Sequence, residues 1–196
     1  MPTGRAIDDA RSLLFDAAER VLLRDGNAAL TSRAITAEAG VAKGVLHRHF
    51  EDVDDFLAEL VLDRIGAVRD TATALQERVG TGTVQDNVVG AIAELFESIA
   101  SAVLELVTAR DAVRARLRAA GSVGVPVLAE GTAMIAAYLE AEQDAGRVAT
   151  EADADTLAAT LVGAAHLLHA GRDTPAPDRA ALERMVAAVL AGAVTG

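Results

Sequence analysis

Apolar residues recur along this chain at three- and four-residue intervals and almost nowhere in alternation. Ile7, Ala10, Leu14, Ala17 and Val21 form one stripe, which predicts an amphipathic helix over about 6–24 after a loose arm at 1–5. Asp25-Gly26-Asn27 ends it. A longer stripe of Val53, Phe56, Leu57, Leu60, Val61, Ile65 and Val68 predicts a helix over about 52–78. Glu51, Asp52, Asp54 and Asp55 crowd its start, where negative charge suits the helix dipole. Gly80-Thr81-Gly82 breaks the pattern, and Thr83 can cap a helix over 83–108. Apolar residues from Val84 through Phe96 to Val107 cover most of that helix, which marks it as central. Further helices are predicted over 109–119, 126–144, 152–170 and 178–193, bounded by glycines and prolines such as Gly121, Pro126, Gly146 and Pro177. Thr150 with Asp153 has the spacing of a capping box, with Asp in place of Glu. No strand is predicted. The fold class is all-α, with about nine helices.

The stretch from Leu30 to Phe50 has a finer pattern. Thr31 is a good N-cap, because its hydroxyl can accept an orphaned backbone N–H. Ala34, Ile35 and Ala39 give a short helix one apolar side. Gly40 stops it, since glycine adopts the left-handed conformation without steric cost. After Val41, a second short helix turns Leu46 and Phe50 inward and holds Lys43, His47 and Arg48 on its other face. Two short helices around a glycine turn, with a basic outer face, describe a helix-turn-helix DNA reader.

Charge sharpens that reading. The chain of 196 residues carries a net −11, which by itself argues against nucleic acid. Its distribution argues otherwise. Residues 1–50 hold seven basic and six acidic residues, whereas residues 51–196 hold 11 and 23. The acidity lies outside the candidate DNA module. Four arginines, Arg110, Arg114, Arg116 and Arg118, gather in the predicted helix 109–119, where pairing with the surrounding acids outweighs a second DNA contact.

Composition narrows the rest. Aromatic residues make up 3%, so the core is aliphatic, and 44 alanines favour helix. There is no cysteine, hence no disulfide or thiolate metal site. Asp8, Asp9 and Asp16 interrupt any signal-like segment. The longest uncharged run, Thr156 to Gly171, is shorter than the roughly 18 residues of a membrane span. A cytoplasmic protein without membrane contact is expected. No phosphate loop, nucleophile elbow or His-Glu-x-x-His motif is present, so no enzyme and no cofactor are expected. His166 and His169 stand at i, i+3, but no third ligand lies near them in sequence, and no metal site is expected.

Residues 10–60 resemble the TetR family of bacterial transcription regulators. Asp25, Gly26, Thr31, Ile35, Ala39, Gly40, Val41, Gly44, Leu46, His49, Phe50 and Leu57 stand at the family's pattern positions. Departures fall on contact positions. His47 replaces the usual Tyr, Val45 the usual Thr, Ala42 the usual Ser and Val53 the usual Lys. Thr36 replaces a small Ala, and its hydroxyl can bond back to the carbonyl of Ser32. The resemblance implies that the second short helix enters the major groove. The implied DNA-binding positions are Thr31, Ser32, Arg33, Ala42, Lys43, Gly44, Val45, His47, Arg48 and His49. Lost phosphate donors imply weaker binding, or compensation by the histidines and cations of this set.

The resemblance also implies domains at 1–51, for DNA binding, and 52–196, for ligand binding and dimerisation. The family architecture implies a homodimer through helices 152–170 and 178–193, with Ala158, Gly163 and Ala165 allowing close approach. It implies a cavity for an unidentified small-molecule effector, lined by Phe96, Met134, Tyr138 and His166, with Glu94 and Arg110 as polar groups. Few polar residues on these helices imply a largely apolar effector. The implied function is a ligand-responsive regulator, a repressor that binds a palindromic operator. The alternative is an all-helical ligand-binding or interaction protein of the same fold that has lost DNA binding.

Overall fold

The caps and glycines legible in the sequence set most of the observed helix ends. The computed structural model describes residues 4–97, 106–122, 125–169 and 178–195. Among the described residues lie nine helices with complete bounds: α1 Gly4–Asp25, α2 Ser32–Glu38, α3 Leu46–His49, α4 Val53–Gln76, α5 Val84–Glu97, α6 Asp111–Ala119, α7 Leu128–Asp144, α8 Ala154–His169 and α9 Arg179–Val189. Residues 106–109 are also helical. The middle of the helix expected over 83–108, at 98–105, lies outside the described residues. Among those described there is no strand, only an isolated bridge between Val148 and Val194.

Most boundaries agree with the sequence to within about two residues. One cap differs. The Asp153 carboxylate, and not Thr150, accepts the backbone N–H of Thr156 at 3.0 Å and starts α8. Asp153 stands immediately before the first helical residue, whereas Thr150 is too far upstream to reach the orphaned N–H groups.

The chain divides into two units: residues 1–63 with 102–123, and residues 64–101 with 124–196. The short basic helix α6 therefore belongs with the N-terminal residues. The helix α4 contributes its first part to one unit and its remainder to the other.

In the first unit, α1 packs on α2. Three of the chain's four phenylalanines meet there. Phe50 stands edge-on to Phe56 at 4.9 Å between centroids, and Phe15 lies 5.4 Å from Phe56 and 6.0 Å from Phe50. The Arg11 guanidinium covers Phe50 at 5.0 Å and pairs with Glu59 at 2.8 Å.

In the second unit, α5 touches α7, α8 and α9, which explains why it is apolar nearly all round. A buried polar cluster closes one end. Glu142 is fully buried and takes both Arg147, from Nε at 2.7 Å, and the backbone N–H of Gly80 at 3.3 Å. Arg147 also donates to the Gly82 carbonyl at 2.8 Å. Burial opposes the Glu142 charge, but hydrogen bonds from Arg147, Tyr138 and Gly80 hold its pKa below the ordinary glutamate value. Tyr138 is fully buried, and Asn87 donates to its hydroxyl at 2.9 Å.

On α8, Ala158 and Ala165 are fully buried in the chain's own core. Of the three small residues expected at a partner face, Gly163 alone is exposed. The exposed line is Thr156, Ala159, Gly163 and Leu167, at helical spacing, with Leu167 at 77% exposure. The exposed face of α9 includes Ala180, Ala187 and Ala188. Among the described residues no helix is long and apolar enough to cross a membrane.

Two outcomes are expected. Phe56→Ala removes the centre of the aromatic cluster and is expected to destabilise the protein by about 3–5 kcal/mol in denaturant unfolding. Tyr138 is the only tyrosine, so phenolate absorbance reads it alone. Burial first, then the hydrogen-bonded Glu142 carboxylate, push its pKa up to about 12. The folded state thus holds this proton more tightly than the unfolded chain. The associated stability is present below pH 10, the unfolded value, and is lost as pH rises from 10 through 12. A titration at 10 in the native protein would contradict the buried cluster.

Candidate nucleic-acid interface

The helix-turn-helix is built as its sequence suggests, with one helix shorter than a free-standing helix could be. Thr31 Oγ1 accepts the Ala34 N–H at 3.2 Å and caps α2. Gly40 takes φ +68°, which glycine alone adopts without strain. The Val41 N–H closes the turn on the Thr36 carbonyl at 3.0 Å. Thr36 is buried, and its hydroxyl donates to the Ser32 carbonyl at 2.7 Å. The helix α3 spans four residues. Isolated helices of that length do not persist in water, so tertiary anchors must hold it. Leu46 and Phe50, at 0% and 4% exposure, are those anchors.

The opposite side of α3 is open. Lys43, His47 and Arg48 are exposed, as are Thr31, Arg33, Ala42 and Gly44; Ser32 and Val45 are half-buried. Ser32 Oγ and His47 Nε2 are 3.3 Å apart, which brings the start of α2 and the outer face of α3 onto one surface. His49 is half-buried with its ring edge-on to Phe50 at 6.4 Å, more a scaffold residue than a surface donor. Gly44 has an ordinary backbone conformation, and a Cβ there would meet nothing within 4 Å. Its own fold thus gives no reason for glycine at this position. Close approach of another molecule is a reason.

The cations sort into two sets. Arg20 and Arg24 each donate to one oxygen of Glu38 at 2.9 Å, tying α1 to the end of α2, and Arg11 pairs with Glu59. The two arginines hold the Glu38 pKa below its ordinary value. Arg33, Lys43 and Arg48 have no ion-pair partner among the described residues. The paired cations cement the domain. The unpaired ones face solvent along 33–48, beside Ser32 and His47.

Three of the four arginines of the α6 region are engaged by carboxylates, and the fourth, Arg118, is exposed. Arg110 pairs with Asp54 at 2.9 Å, Arg116 with Asp52 at 2.7 Å, and Arg114 with Asp111. Arg110 was expected among the effector's polar contacts. Its guanidinium is instead committed to Asp54, Asn27 and Leu30, all in the first unit. Glu94 is exposed on α5 and does not face the interior.

The expected effector-lining residues separate in the second unit. The Phe96 ring stacks on His169 at 4.6 Å and lies 6.5 Å from His166, whose buried Nδ1 has no hydrogen-bond partner among the described residues. Tyr138 has its hydroxyl engaged by Asn87 and Glu142. Met134 lines an open groove of about 380 Å³ between α4 and α7, with Val68, Ala72 and Ala137, and with Arg69 and Gln76 as polar groups. The groove was not legible in the sequence, because an alanine between helices signals helix propensity and leaves no mark of the hollow beside it. Among the described residues no three metal-ligating side chains cluster.

Comparison with known proteins agrees with this geometry. Residues 14–60 match the family model described as bacterial regulatory proteins, tetR family. No curated protein matches the sequence. Among solved structures, the fatty acid degradation regulator FadR from Bacillus halodurans is 18% identical with TM-score 0.72, and the match covers 93% of this chain and 95% of that one. SmeT, the repressor of the Stenotrophomonas maltophilia multidrug efflux pump SmeDEF, is 19% identical with TM-score 0.65, over 94% and 90% of the two chains. A TetR transcriptional regulator from Streptomyces coelicolor is 25% identical with TM-score 0.64, over 95% and 99%. These similarities show the fold of transcriptional regulators, which are not enzymes.

Proposed function

We propose, from the match of residues 14–60 to the tetR-family model and the geometry of that region, that the protein is a cytoplasmic, ligand-responsive repressor. It binds a palindromic operator as a homodimer, and a small, largely apolar effector releases it. The observation that carries the reading is the sorting of the cations. Among the described residues Arg33, Lys43 and Arg48 have no carboxylate partner, on the side of the domain where Ser32 meets His47, while Arg11, Arg20 and Arg24 are paired with carboxylates of the domain itself.

In this reading Lys43 reads a base edge or a phosphate, and Arg33 and Arg48 hold phosphates. Thr31, Ser32 and His47 supply further hydrogen-bond donors. Ala42, Gly44 and Val45 let the backbone approach, and His49 orients the end of α3. The exposed faces of α8 and α9 join two copies, which sets the two readers in successive major grooves roughly 34–36 Å apart. The effector occupies the second unit, where Met134 borders the α4–α7 groove and Phe96 and His166 offer an apolar wall with one open ring nitrogen. Tyr138 shapes that interior from within its hydrogen-bonded cluster.

The test is a fluorescence anisotropy titration of the full chain against DNA from beside its gene, over a range of salt. Operator binding is expected to weaken linearly in log–log form with salt and to exceed random-DNA binding. Lys43→Ala is expected to weaken operator binding about tenfold with an unchanged sedimentation profile. Binding that is flat with salt and indifferent to sequence would sink the repressor reading, and an unchanged affinity would remove Lys43 from the contact surface.

A further inference from the structure

Arg110 lies far from the helix-turn-helix in sequence, yet its guanidinium is built into it. Nε donates to Asn27 Oδ1 at 3.0 Å. Nη2 donates to the backbone carbonyls of Asn27 at 3.2 Å and Leu30 at 3.0 Å. Nη1 donates to Asp54 at 2.9 Å in the first turn of α4. One planar fork thus joins two separate pieces of backbone: the turn at 27–30 that delivers the chain into α2, and the start of α4. Leu30, whose carbonyl it holds, directly precedes the cap residue Thr31. A second tie between the same parts of the chain, Arg116 to Asp52 at 2.7 Å, comes from within α6 to the residue just before α4.

Only arginine suits this position. Its five N–H groups leave a rigid plane in fixed directions, and here three different nitrogens serve acceptors on two segments. A lysine ammonium keeps the charge but offers its donors from a single atom.

We propose that Arg110 is a positioning residue of the DNA reader. It fixes the height and direction at which α2 begins, and through the Ser32–His47 contact it fixes the surface shared with α3. The DNA-binding module therefore does not close within 1–51. It takes its last constraint from a residue 80 positions beyond Leu30. The consequence is specific. Base-edge contacts fail on displacements of about 0.5 Å, whereas phosphate attraction tolerates them. Loss of the brace degrades operator discrimination before it degrades DNA binding as such. This inference rests on the DNA-binding reading above, and its test is arranged so that the two can fail separately.

Arg110→Lys and Asn27→Ala are compared with the unaltered full chain, well below their unfolding temperatures. Each is expected to lose about tenfold in operator affinity while random-DNA affinity and the salt slope stay unchanged. The double variant is expected to be no worse than Arg110→Lys alone, because both remove one shared contact. The amides of α2 are expected to exchange hydrogen faster in both variants, with those of α5 unaffected. Rescue of operator affinity by lysine overturns the brace, because charge alone then suffices. A parallel fall in random-DNA affinity with a shallower salt slope overturns it as well, and makes Arg110 a phosphate contact. Should the unaltered protein not discriminate among DNA sequences, the repressor reading fails, and unchanged α2 exchange in Arg110→Lys then overturns the brace independently.

Discussion

The first unit depends on the contact among Phe15, Phe50 and Phe56. A four-residue helix has no stability of its own, so α3 keeps its place only because Leu46 and Phe50 are buried against its neighbours. Phe50 ends α3, Phe15 comes from α1, and Phe56 comes from the first part of α4. The cluster therefore sets the rotation of α3 about its own axis. With the inner side fixed, His47 and Arg48 have only the outer side to occupy; Lys43, expected at the start of this helix, stands exposed in the turn before it, because α3 begins only at Leu46.

Charge is arranged around that hydrophobic frame. The protein as a whole is strongly acidic, yet the proposed contact surface is not. The first unit uses carboxylates at Glu38, Asp52, Asp54 and Glu59 to bind arginines across the outer edges of its helix joints. Exposed pairs of this kind contribute at most about 1 kcal/mol each, so their main effect is geometric. They hold helices in register, and they keep carboxylates engaged. The Ser32–His47 contact and the three unpaired cations lie outside this web.

Much of the frame was legible before any coordinates. Thr31, Gly40, Leu46 and Phe50 act as their residue types suggest, and the back-bond of Thr36 to Ser32 forms as its position implies. These features are local, since each depends on residues within a turn of itself. Position along a helix was legible too, because a period of 3.6 residues separates an inner from an outer side. What the period could not decide was which partner each side meets. Ala158 and Ala165 read as small residues fit for a second copy, but they face the chain's own core. Arg110 read as a polar group for an effector, but it closes the joint between the 27–30 turn and α4. Tyr138 read as cavity lining, and its hydroxyl is held by Asn87 and Glu142.

The sequence by itself determined the all-helical class, most of the helix limits and the inner side of the helix-turn-helix. Hydrophobic periodicity, caps and glycines act over three or four residues, and that is the range over which a linear pattern carries information. Only the tertiary structure decided that α6 belongs with the first unit, and that Arg110, just before it, bonds both the 27–30 turn and the start of α4. It also decided that alanines leave a groove beside Met134. Those outcomes turn on which distant residues share space, and a guanidinium finds its acceptors across 56 to 83 positions of sequence only after the chain has folded.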